Sequence, residues 1–130
     1  YEFFRDATVL QVGLIPHPTI AMSAASPDGL VGDDGMLELK CPTTAPDIET
    51  LLGGSIPAKY ETQMHWQMAC SGRKWVDFAS FDGRLPLNLS LFVWRVHRND
   101  ARIAELENMV REFLAEVDAK VAALTAIGQR

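Results

Sequence analysis

A single mixed α/β domain is what the periodicity of this chain predicts. Strand-type runs such as Trp75 to Phe81 and the alternating Leu87-Asn88-Leu89-Ser90-Leu91 share the sequence with longer runs at helical spacing, Pro57 to Gly72 and Asp100 to Ile127. Turn sequences, notably Gly32-Asp33-Asp34-Gly35 and Asp82-Gly83-Arg84, separate them. With 130 residues and 48% hydrophobic content, the chain can bury most of its apolar surface as one domain.

In order, Tyr1 to Asp6 reads as a helix end. Val9 to Leu14 and Ile20 to Ala24 read as strands around a Pro16-His17-Pro18 turn. A hairpin follows, and the three consecutive antiparallel strands are expected to form the core of the sheet. Asp47 to Leu52 reads as a short helix closed by Gly53-Gly54. Pro57 opens a longer helix on which Tyr60, Met64, Gln67 and Met68 recur at helical spacing up to Gly72. Trp75 to Phe81 and Leu87 to Val96 read as two more strands. The last element, Asp100 to Ile127, is an amphipathic helix with Ile103, Leu106, Val110, Phe113, Val117, Val121 and Leu124 on one stripe, expected as a core face. Asn99 or Asp100 can cap its start.

The hairpin carries the chemistry. Asp-Gly tolerates the positive φ angles of a tight turn, so Gly32 to Gly35 joins Leu30-Val31 to Met36-Leu37 and brings Asp28 near Glu38. A period of two puts Met36, Glu38 and Lys40 on one face of the second strand, with Leu37, Leu39 and Cys41 on the other. Two carboxylates and an ammonium thus converge in otherwise apolar sequence. Hard oxygen ligands of this kind suit Mg²⁺ or Mn²⁺, and Mg²⁺ is usually held by only one or two carboxylates. A lysine beside such an ion can orient or deprotonate a water while the metal polarises a phosphodiester. The plain alternative is ordinary turn chemistry at Asp28 and one weak surface ion pair between Glu38 and Lys40.

An acid, a variable hairpin and Glu-x-Lys resemble the PD-(D/E)xK nuclease superfamily, here Pro27-Asp28 and Glu38-Leu39-Lys40. The longer string Ser26-Pro27-Asp28-Gly29-Leu30 with Leu37-Glu38-Leu39-Lys40-Cys41-Pro42 resembles, more narrowly, the lambda exonuclease family of YqaJ-like viral recombinases. Leu52-Gly53-Gly54, then Tyr60-Glu61-Thr62-Gln63, then Trp75 to Asp82 resemble further motifs of that family in the same order.

The resemblance implies a restriction-endonuclease-like core, a central mixed sheet flanked by helices. It implies a Mg²⁺-dependent enzyme that degrades linear duplex DNA from a 5′ end to mononucleotides and leaves a 3′ single strand for recombination. Partners implied are double-stranded DNA ends, a single-strand annealing protein and two further copies in a homotrimeric ring. Asp28 and Glu38 would be metal ligands with the Leu39 carbonyl, Lys40 would activate the water, Gln63 would support the site, and Tyr60 belongs to the same helix motif. A structure-specific or restriction-type endonuclease, and a non-catalytic DNA-binding or assembly module, stay open.

Departures from the pattern set further expectations. The chain opens inside a family helix, so the domain over residues 1–130 is expected to lack an N-terminal segment bearing another metal-site acid and the 5′-phosphate grip. Glu2 lies late in the motif and is not assigned as that acid. Where the phage enzyme has an arginine, this chain reads Thr43-Thr44, so no phosphate contact carries over there.

Composition narrows the setting. No run of about 18 apolar residues suits a membrane span, and no charged-then-apolar leader is present, so the expected place is the cytoplasm of a bacterial or phage-infected cell. Cys41 and Cys70 have no zinc-type spacing and are expected as buried thiols. The net charge of −5 opposes non-specific DNA binding, which leaves any contact to local distribution. Lys59, Arg73, Lys74 and Arg84 follow the motif in loops or helix ends, where solvation explains them as well as DNA does.

Overall fold

The computed structural model describes residues 1–5, 7–41, 52–53 and 56–129. They fall into two compact units, Tyr1–Asn99 and Asp100–Arg130. The first holds α1 (Glu2–Arg5), seven strands, α2 (Ala58–Ser71) and the single turn α3 (Leu87–Ser90); the second is α4 (Asp100–Gly128).

Five strands make one sheet in the order β1 (Val9–Leu10), β4 (Gly29–Val31), β5 (Gly35–Lys40), β6 (Trp75–Phe81) and β7 (Leu91–His97). The pairs β1–β4, β4–β5 and β6–β7 are antiparallel, while β5 and β6 run parallel in the register Glu38 to Phe78. The sheet is therefore mixed, as expected. Its centre is not three consecutive antiparallel strands, however. The expected strands Val9 to Leu14 and Ile20 to Ala24 shrink to β1 and to a separate ribbon, β2 (Ile15–Pro16) with β3 (Ala24–Ala25). Ile20 lies in the turn between them, buried, with its N–H donated to His17 Nδ1 at 3.0 Å. Prolines 16 and 18 limit how far a ladder can extend, so the ribbon stays two residues long.

Two faces flank the sheet. One carries Val31, Leu37 and Ala79, with Tyr1, Ala7, Val9, Trp75, Leu91 and Val93 packed against them. The other carries Met36, Glu38, Val76, Phe78 and Ser80, all buried, and lies toward α2, whose Met64 and Met68 are fully buried and whose Tyr60 stacks on Phe78 at 5.4 Å. On its far side α2 meets the β2–β3 ribbon: Trp66 Nε1 donates to the Ala24 carbonyl at 3.1 Å, and its ring stacks on His17. Gly72, at φ 74°, closes α2 in the left-handed region, as the sequence predicts.

Gly35 starts β5 beneath the Trp75 indole, and a Cβ there would run into that ring. Arg73 fixes the same turn, its Nη1 donating to the carbonyls of Gly32 at 2.7 Å and Gly35 at 3.3 Å.

Two further expectations change. Leu87 to Ser90 is a helical turn and not the start of a strand: Pro86 supplies the carbonyl for Leu89 N–H, and Ser90 Oγ donates to the Leu87 carbonyl. An alternation of five residues fits a turn of helix as well as a strand. Along the stripe of α4, Ile103 and Leu106 are buried, while Phe113, Val117, Val121 and Leu124 are exposed. The expected helix from Asp47 lies, apart from Leu52-Gly53, outside the described residues, as do Pro42, Thr43, Thr44 and Gly54.

Candidate active site

Register explains why the acids meet. Gly29 pairs with Leu37, so one step further Asp28 stands opposite Glu38, just before β4 begins. There the ladder ends, and the backbone of β5 has no strand on that side. The Asp28 carboxylate takes the place of a strand partner, with Oδ2 accepting the Leu39 N–H at 2.7 Å. In a strand the N–H and C=O of one residue point to the same edge, so the Leu39 carbonyl also faces the edge where Asp28 sits.

Glu38 is 3% exposed, a placement a carboxylate tolerates only when its oxygens are well partnered. Three donors reach it. Lys40 Nζ stands 2.9 Å from Oε1, Gln63 Nε2 donates to Oε1 at 3.1 Å, and Gln67 Nε2 donates to Oε2 at 2.9 Å. Lys40 shares the face of Glu38, as the period of two predicts, and its ammonium also lies 5.0 Å from the Tyr60 ring centre. Lys59 covers the same ring at 4.8 Å. The hydrogen bond to Glu38 holds the Lys40 pKa above its ordinary value against the opposing effect of burial, with Asp28 among the charges that add to the rise.

The structure thus brings together Asp28, Glu38, Leu39, Lys40, Gln63 and Tyr60. Gln67, expected only as one of the helical repeats, is also a Glu38 partner. The signal was present: Gln63 and Gln67 are four apart and share a helix face. Cys70 is buried as expected, whereas Cys41 is exposed. It follows β5 beyond the end of β4, and with Tyr1, Glu2, Val9, Gln11, Asp28, Leu37 and Leu39 it lines an open cavity of about 600 Å³. That cavity reaches Asp28; Glu38 and Lys40 are not among its lining residues.

A second charged cluster lies on the Leu37 face. Asp77, fully buried, accepts Arg95 Nε at 2.8 Å and Nη2 at 3.0 Å, and Tyr1 OH at 2.6 Å. Burial alone would raise its pKa, but Arg95 and Tyr1 outweigh burial and lower it. Burial, then Asp77, pushes Tyr1 up to about 12. With Arg95 stacked 3.6 Å over Trp75, this cluster ties α1 to β6 and β7.

Among the described residues no three His, Cys, Asp or Glu side chains gather at metal-binding distance. Two carboxylates and a carbonyl at one strand edge still fit Mg²⁺, which keeps several waters and needs few protein ligands.

A mixed sheet with a helix across one face, and an acid and Glu-x-Lys at the end of one hairpin, is the architecture of the PD-(D/E)xK type. The YqaJ-like viral recombinase domain matches residues 1–74, more than half of the sequence, and the chain belongs to that family. Two solved structures are similar over almost all of it. An alkaline exonuclease (LHK-Exo) from Laribacter hongkongensis is 50% identical with a TM-score of 0.95, covering 96% of this chain and 64% of its own. LHK-Exo in complex with dAMP is 51% identical with a TM-score of 0.93, covering 95% and 64%. The chain therefore spans about 64% of the length of these proteins. No curated protein matches it.

Proposed function

We propose that this chain is the catalytic part of a Mg²⁺-dependent deoxyribonuclease that digests linear duplex DNA from the 5′ end, releasing mononucleotides and leaving a 3′ single strand for annealing. The observation that carries the reading is Glu38, buried and held by Lys40 and Gln63, with Asp28 anchored to the next residue's N–H. Similarity to an alkaline exonuclease supports it, and a relative's complex with dAMP is in keeping with a mononucleotide product.

Asp28, Glu38 and the Leu39 carbonyl would hold the metal, whose chemistry is to polarise the phosphodiester and lower the pKa of a bound water. Lys40, kept protonated by Glu38, acts on the attacking water by orienting it and offsetting developing negative charge, which favours this role over that of a free base. Gln63 fixes the carboxylate that Lys40 faces. Tyr60, stacked on Phe78, keeps the Lys40 chain extended toward Glu38. Among the described residues no helix is long and apolar enough to cross a membrane. A ring of three copies and a single-strand annealing protein are the partners that belong to this reading.

The test is digestion of a linear duplex by the purified protein with Mg²⁺, with Mn²⁺ and with a chelator. Loss of duplex in either metal and none in chelator is expected; a duplex left intact at every divalent concentration favours the non-catalytic module.

A further inference from the structure

We propose that Gln67 is a specificity-determining positioning residue: by engaging Oε2 of Glu38 it restricts what that carboxylate can offer a cation and sets a preference for Mg²⁺ over Ca²⁺. The inference rests on the metal-dependent reading above.

An ionised carboxylate has roughly four acceptor positions. In Glu38 three are engaged, two on Oε1 by Lys40 and Gln63 and one on Oε2 by Gln67, so about one remains for an ion. A carboxylate pinned on both oxygens cannot turn to present both to one ion. Ca²⁺ accepts bidentate carboxylates in loose shells of six to eight oxygens, whereas Mg²⁺ keeps a small octahedral shell with many waters. Pinning both oxygens therefore disfavours Ca²⁺ more than Mg²⁺.

The state of Gln67 itself points the same way. The side chain is 2% exposed, and its own Oε1 has no hydrogen-bond partner among the described residues. Reversing the amide would aim that oxygen at a carboxylate, so the orientation is dictated by Glu38. An unpartnered buried acceptor is a cost that a glutamine present only for packing would not carry, since an apolar side chain of the same size avoids it.

Isothermal titration of Mg²⁺ and Ca²⁺ into the wild-type protein, Gln67→Met and Gln67→Asn tests this. Methionine keeps the length without the donor, and asparagine keeps the amide but falls short of Oε2. Circular dichroism melts without metal check the fold, and Gln67→Asn serves if Gln67→Met does not fold. In either variant Mg²⁺ affinity is expected to fall about 10-fold or more, the usual effect of losing a partner of a metal ligand, while Ca²⁺ affinity holds or rises. Parallel losses for both ions, or an unaltered Mg²⁺ to Ca²⁺ ratio, overturn the role of Gln67 alone. A wild-type protein that binds neither ion overturns the metal-dependent reading itself.

Discussion

Lys40 sits where two demands meet, neutralising a buried acid and, on the proposed reading, facing the reaction. Its replacement by alanine is expected to lower hydrolysis by about 10²-fold or more, the scale of losing one preorganised group that stabilises developing charge, while DNA binding measured by gel shift in a chelator stays within a few-fold. Activity that survives in Lys40→Ala removes the lysine from the mechanism. The same residue and Tyr1 make stability sensitive to alkali. Lys40 has a raised folded pKa, so its stabilisation is complete below about 10.5, the ordinary lysine value, and is lost as pH rises through the folded value. Tyr1 behaves alike between about 10 and about 12. Urea midpoints are therefore expected to fall between pH 10 and 12, and less steeply in Lys40→Met; a midpoint flat over that range contradicts both assignments. The Asp28, Glu38 and Lys40 cluster was legible in sequence because charges interrupting an apolar hairpin stand out against period two. Gln67 was legible only in part: its spacing puts it on the helix face of Gln63, but a polar residue on a helix says nothing of which strand it will meet. Asp77, buried with Arg95, was hidden, since its partners lie 18 and 76 positions away.

Among the elements, α2 and the β4–β5 hairpin depend on each other through Glu38, and the hairpin's geometry depends on Gly35. Gly35→Ala places a methyl into the Trp75 ring, so the indole or the turn must shift. Overpacking of this kind costs about 1–3 kcal/mol, so a lowered urea midpoint is expected, with Gly35→Ala/Trp75→Leu recovering part of the loss. A midpoint equal to wild type shows that the turn gives way freely. The long regular elements, α2, β6 and α4, were readable from sequence almost to the residue, because each has its own period and a clear stop such as Gly72. Short segments were not. The β2–β3 ribbon is set by where Trp66 finds a partner 42 positions away, a contact that leaves no local pattern, and α3 is a single turn, too short to show a period.

For the whole molecule, on the proposed reading, charge would decide how DNA is met. Net charge is −5, and several cations are already committed: Arg73 to turn carbonyls, Arg84 to Asp82, Arg95 to Asp77. Of the basic residues that follow the motif, Lys59 lies against Tyr60, whose ring Lys40 also approaches. With these cations committed among the described residues, the proposed reading favours capture of DNA by its end over binding along its length. Blunt duplexes with a 5′-phosphate are expected to be degraded faster than 5′-hydroxyl ones, and closed circles to survive; nicking or linearisation of circles in a plasmid assay would favour the endonuclease alternative.

The parallel pairing of β5 with β6 also bears on biogenesis. A parallel neighbour can be reached only through a crossover, so Glu38 waits for α2 and for the strand ending at Phe81 before its surroundings exist. Contacts this distant in sequence form late, after the local hairpin. A nascent chain that has released only the β4–β5 hairpin from the ribosome thus holds both acids and the lysine yet no assembled centre. On the proposed reading, cleavage would therefore require α2 and β6 to have folded onto the hairpin.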